Sequence, residues 1–169
     1  MTAILPALSV LFAVFATAVP WGLPADATFI LPLVVVMMVF CWRALPGTVF
    51  PPYLAMLLGL LTDITSGGPL GFWALMTLIA ATAGGRASPL TDGQDLNRLW
   101  LVWGGVAAVV ASFGWVLASL YFLRWIDWWP IAFGALASIA LFPVVLRGLL
   151  WVRRGRLWPE RAALYRRWT

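Results

Sequence analysis

Apolar runs follow one another from Thr2 to Val152, and the breaks between them are short and built from turn-forming residues. Pro20 to Pro24, Leu45-Pro46-Gly47 and Ser66-Gly67-Gly68-Pro69 are the clearest of these breaks. A soluble fold needs a polar face on each element. Here 63% of the residues are hydrophobic and 10% are charged, less than half of the roughly 25% charged residues of soluble domains. The pattern therefore predicts an all-α, polytopic membrane protein, folded as one helical bundle.

Reading the runs between charges and Pro/Gly breaks gives about six transmembrane helices, near Thr2–Val19, Thr28–Trp42, Thr48–Thr62, Leu70–Gly84, Leu99–Leu123 and Ile131–Val152. They form one transmembrane domain over residues 1–152, followed by a basic tail over 153–169. A full crossing takes about 20 residues, so the second, third and fourth are short. Pro130 falls in the first turn of the last span, where its missing N–H costs nothing. Pro6, Pro32 and Pro143 lie inside spans and are expected to kink them or to be absorbed by neighbouring helices.

All 11 basic residues are arginine, and histidine is absent. With six spans, Arg43, Arg86, Arg98 and the tail arginines share one side, whereas the opposite side holds only Arg124, beside Asp127. Both termini are thus expected in the cytoplasm. Trp21, Trp125, Trp128 and Trp129 are assigned to the outer interface, and Trp42, Trp100, Trp103 and Trp151 to the inner one. Ala16-Thr17-Ala18 has the look of a signal cleavage site. No basic residue precedes Leu11, so the first span is expected to be retained. In the tail, Arg153, Arg154, Arg156, Arg161, Arg166 and Arg167 face membrane lipids. A short interfacial helix is expected to start at Pro159-Glu160. The net charge of +5 thus reports membrane orientation, not nucleic-acid binding.

With no histidine and one cysteine, Cys41, in an apolar run, the chain has few ligands for zinc or haem, and no cofactor is expected. No close acid pair lies within the spans, so no catalytic residues are assigned and the chain is read as non-enzymatic. Asp92 and Asp95 sit near Arg86 and Arg98 in a loop, with Asp95 or Asn97 placed to cap the fifth helix. The hydroxyls Ser9, Thr17, Thr77, Thr82, Ser112, Ser119 and Ser138 can be satisfied by backbone or by neighbouring helices. The pairs Ala3/Ala7, Ser9/Ala13 and Ala13/Thr17 give the first span a small-residue face for helix packing.

One segment departs from this background. Gly59 to Asp63, followed by Gly67 to Gly71, sets a carboxylate and a glycine-rich break at the outer end of the third span. Two readings follow from the residues: a turn aspartate, solvated or capping the next helix, or a buried one contacting a partner or an internal network.

Gly59 and Asp63, then Gly67, Pro69, Leu70 and Gly71, then Ala74-Leu75, resemble the signature of the rod shape-determining MreD family. That signature is a Gly, an Asp four residues on, a Gly, a Leu-Gly and a small-apolar pair. Chain length, span count and basic tail fit the same family over most of the sequence. The resemblance implies a scaffold of the wall-elongation machinery that binds MreC and, directly or through it, RodA with its penicillin-binding transpeptidase. It also implies a fold similar to the substrate-binding S-component of energy-coupling-factor transporters. The alternative function is therefore a small-molecule-binding transport subunit, with Asp63, Thr65, Ser66, Arg124 and Asp127 lining an outer vestibule.

Overall fold

The computed structural model describes residues 4–22, 30–92 and 96–165, with side chains in those ranges except at 91–92 and 153–165. Six helices and no strands are found among the described residues: α1 (Ile4–Ala18), α2 (Ile30–Ala44), α3 (Pro52–Ser66), α4 (Phe72–Asp92), α5 (Leu96–Tyr121) and α6 (Trp129–Tyr165). They stand in two rows of three. α1, α2 and α6 form one row and α3, α4 and α5 the other, with α2 and α4 at the centre. α1 and α2 run in opposite directions: the end of α2 meets the first half of α1, where the Trp42 indole donates to Ser9 Oγ at 2.8 Å.

The central position of α2 follows from its composition. It is apolar throughout except for Arg43 in its last turn, which suits a helix surrounded by others, and ten of its 15 residues are buried. Two glycines bring the helices on either side of α4 unusually close. A Cβ on Gly59 of α3 would lie 2.5 Å from Ala74 Cα, and one on Gly84 of α4 would lie 2.5 Å from the Phe40 carbonyl of α2. Without a side chain at either position, backbone can approach backbone.

Beyond α2, an aromatic cluster joins the rows. Phe40 of α2, Trp103 of α5 and Phe142 of α6 pack with ring centroids 5.2 to 6.1 Å apart, and Trp103 stacks on Phe142 at 13°. This relocates two expected interfacial tryptophans. Trp42 is 1% exposed and Trp103 fully buried, whereas Trp100 and Trp151 are 43% and 77% exposed. Burial inside the bundle has overridden the preference of those two rings for the interface.

Two helices, α5 and the first 24 residues of α6, are long and apolar enough to cross a membrane. Their most apolar stretches are 28% and 33% buried, unlike the core helix of a soluble protein. At 15 residues each, α1, α2 and α3 are about 22 Å long, shorter than a typical hydrocarbon core.

Several expected boundaries move. α3 starts at Pro52 instead of Thr48, because Pro51 is extended (φ −69°, ψ 149°) and Pro52 occupies the first helical position. α4 runs eight residues past Gly84 to Asp92, carrying Arg86 and Pro89 inside a helix that had been expected to end before them. Gly84 is a packing residue against α2, so it does not terminate the helix. Pro6 and Pro32 are each the third described residue of their helices. α6 continues through Pro159 to Tyr165, so no separate helix begins at Pro159-Glu160. The side chains of Arg153, Arg154, Arg156 and Arg161, all of Arg166 and Arg167, and the capping residue Asp95 lie outside the described residues.

Candidate functional site

The segment from Gly59 to Gly71 folds as a clasp between α3 and α4. Gly59 and Asp63 are one turn apart, so they share a face of α3, and that face packs on α4. The seam is antiparallel. Thr77 Oγ1 of α4 donates to the Ala55 carbonyl at 3.0 Å, Gly59 meets Ala74, and Asp63 meets Gly71. α3 ends where Gly67 takes the left-handed conformation (φ 67°), and the chain turns into α4 through Gly71 (φ 96°). Glycine adopts both dihedrals without the steric cost of a Cβ.

The Asp63 side chain is 1% exposed, and its carboxylate serves the first turn of α4. Oδ1 accepts the Trp73 N–H at 2.7 Å; Oδ2 accepts those of Gly71 at 2.8 Å and Ala74 at 3.3 Å. Phe72 N–H donates instead to the Pro69 carbonyl at 3.2 Å, and Leu75 N–H makes the first regular helical bond, to Gly71. The donors that a helix N-terminus leaves without intrahelical partners are therefore all answered. A full negative charge here also complements the positive end of the α4 dipole. The capping reading and the buried-network reading of Asp63 thus describe one arrangement: the residue is buried, and the network it enters is the backbone of the next helix. Three accepted N–H bonds leave little of the carboxylate's capacity for anything else.

Of the motif residues, Gly59, Asp63, Gly67 and Gly71 build the clasp, and Pro69 contributes its carbonyl. Leu70 stands 74% exposed at the tip. Beside the tip, Pro69, Leu70 and Gly71 line an apolar cleft of about 430 Å³ with Leu117, Leu120 and Tyr121 of α5. Thr65, Ser66 and Arg124, expected to line a vestibule with Asp63, make separate contacts. Thr65 pairs with Thr17 of α1, hydroxyl to hydroxyl at 3.1 Å, and Ser66 donates to the Asp63 carbonyl at 3.4 Å. Arg124 lines a second cleft at the end of α5, and Asp63 lines neither. Among the described residues, no three His, Cys, Asp or Glu side chains converge as metal ligands do.

Sequence reasoning missed a second brace. Arg43, read only as an orientation signal, reaches from α2 to donate its Nε to the Ala81 carbonyl at 3.2 Å and an Nη to the Phe50 carbonyl at 3.0 Å. Nothing local in the sequence marks those carbonyls as its partners. Arg147, embedded in the sixth apolar run, lies exposed on α6; a lone charge inside a span was the available signal. The hydroxyl of Ser9 ties α1 to Trp42, so the small-residue face of α1 takes part in intramolecular packing. Comparison with known protein families, with curated proteins and with solved structures finds no match for this chain.

Proposed function

We propose that this chain is a multi-pass inner-membrane scaffold of the MreD type, non-enzymatic, with six spans and both termini in the cytoplasm. It would bind MreC and support the RodA–transpeptidase pair in lateral wall synthesis. One observation carries the reading: the residues that resemble the family signature cooperate as one structural unit, the α3–α4 clasp, with Asp63 at its centre. A signature that serves packing is what a scaffold requires. Faces left for partner helices or lipid support the same reading. Ile4, Leu8, Phe12 and Phe15 form an exposed stripe along α1, and Tyr53, Met56, Leu57 and Ile64 form another along α3.

The transport-subunit reading is less well supported, because it called on Asp63 to face a ligand and that carboxylate is turned to backbone N–H groups. Co-purification of the C-terminally tagged chain from its own membranes tests the choice. Stoichiometric recovery of MreC, with RodA, is the expected result. Recovery of a coupling subunit with ATPases, or of a tightly held small molecule, would replace the scaffold with the transport reading.

A further inference from the structure

At the far end of α5 from its first residue, a cleft of about 370 Å³ opens beside the connection to α6. Its volume lies within the roughly 300–1,000 Å³ of small-molecule sites. Val116, Leu120 and Leu123 form apolar walls, and the indoles of Trp115 and Trp125 close one side, with centroids 5.5 Å apart. The closure is fixed in place: Trp115 Nε1 donates to the Ile126 carbonyl at 2.8 Å. Leu123 holds the left-handed conformation (φ 50°), and Arg124 N–H donates back to the Ser119 carbonyl at 3.2 Å. The chain therefore folds over the helix end, and Arg124 lines the same cleft as Ser119.

Two polar groups in this apolar setting lack partners. Ser119 Oγ is buried without a hydrogen bond, although a helical serine has a backbone carbonyl within reach one turn back. The exposed Arg124 guanidinium makes no ion pair with any described residue, Asp127 included. A cation and a buried hydroxyl at an apolar cleft are complementary to an anionic headgroup with a hydrocarbon chain. Trp125, Trp128 and Trp129, all exposed nearby, mark the depth at which indoles meet lipid headgroups.

We propose that this cleft binds one anionic phospholipid from the surrounding bilayer. Its phosphate lies on Arg124, an ester oxygen accepts the Ser119 hydroxyl, and an acyl chain runs along Val116, Leu120 and Leu123. The proposal requires α5 to lie in a bilayer and is independent of which proteins the chain binds.

The test uses the full chain, purified in mild detergent and titrated with phosphatidylglycerol or phosphatidylcholine, with bound lipid counted by native mass spectrometry. Resistance of the chain to carbonate extraction is scored first; release from the membrane would overturn the bilayer premise before the site is tested. Wild type is expected to hold one phosphatidylglycerol in preference to phosphatidylcholine. Arg124→Gln should weaken it about tenfold, the scale of a lost charge-assisted hydrogen bond, and Ser119→Ala by less. Leu120→Trp, at an exposed wall position that tolerates a larger side chain, should exclude the lipid. Arg147→Gln, an exposed arginine elsewhere on the surface, should change nothing. Undiminished binding by Arg124→Gln, an equal loss in Arg147→Gln, or equal retention of phosphatidylcholine by wild type would each overturn the proposal.

Discussion

Asp63 and Trp73 meet end to side: a carboxylate oxygen near the close of α3 takes the backbone N–H of the second residue of α4 at 2.7 Å. That bond and its two companions make the start of α4 dependent on a side chain from another helix. Asp63→Asn keeps the shape but turns an acceptor into a donor facing N–H groups and removes the charge. We expect a loss of about 2–4 kcal/mol, read as a lowered Tm in detergent. An unchanged Tm would mean that the clasp contributes nothing to the fold.

Glycine replacements separate crowding from helix propensity. Gly59→Ala should force α3 off Ala74 and cost about 1–3 kcal/mol. Gly104→Ala, where an added Cβ meets nothing within 4 Å, should be neutral or stabilise by up to about 1 kcal/mol. Equal effects of the two in thermal melts would refute the close approach of α3 and α4.

At Gly71 the obstacle is dihedral, since its φ is 96° and the space beside it is empty. Gly71→Ala should destabilise by about 1–2 kcal/mol, while Gly68→Ala, which has no positive φ, should leave the Tm within a degree or two. Melting the two variants side by side decides it.

Arg43 tests whether an orientation signal is also a brace. Lysine keeps the charge but cannot span two carbonyls with a planar fork. Arg43→Lys should preserve topology and still lower stability by about 1–2 kcal/mol. A variant as stable as wild type would return Arg43 to a purely topological role.

The proposed orientation can be checked through the single cysteine, which is buried and should give little background. Gly68→Cys should react with a membrane-impermeant maleimide in cells whose inner membrane is intact. Gly47→Cys should react only after that membrane is opened. The reverse pattern would invert the topology.

The number and order of the helices were legible because each apolar run is bounded by turn residues, and the starts of α4 and α6, at Phe72 and Trp129, each fall within two residues of the expected ones. The later start of α3 turns on Pro51-Pro52, which a hydropathy reading passes over as apolar. The far end of α4 was hidden because Gly84 looks like a terminator until Phe40 is seen against it. Capping of the next helix was one of the readings open for Asp63. Its burial was harder to foresee, because it depends on α3 and α4 closing at Gly59, a contact between distant residues. Trp42 and Trp103 were misplaced for the same reason: a ring at a span end looks interfacial until its neighbours are known.

The clasp also has a consequence for how sequence can vary around it. Everything Asp63 grips on α4 belongs to the main chain, so it recognises no side-chain chemistry at positions 71, 73 or 74. Substitution is limited at 71 by the dihedral and at 74 by the room beside Gly59, while Trp73 has its own place in the core. Proline is excluded at all three alike, because it alone among the residues deletes a donor. One acidic side chain thereby anchors the start of a helix without reading the identity of the residues it holds.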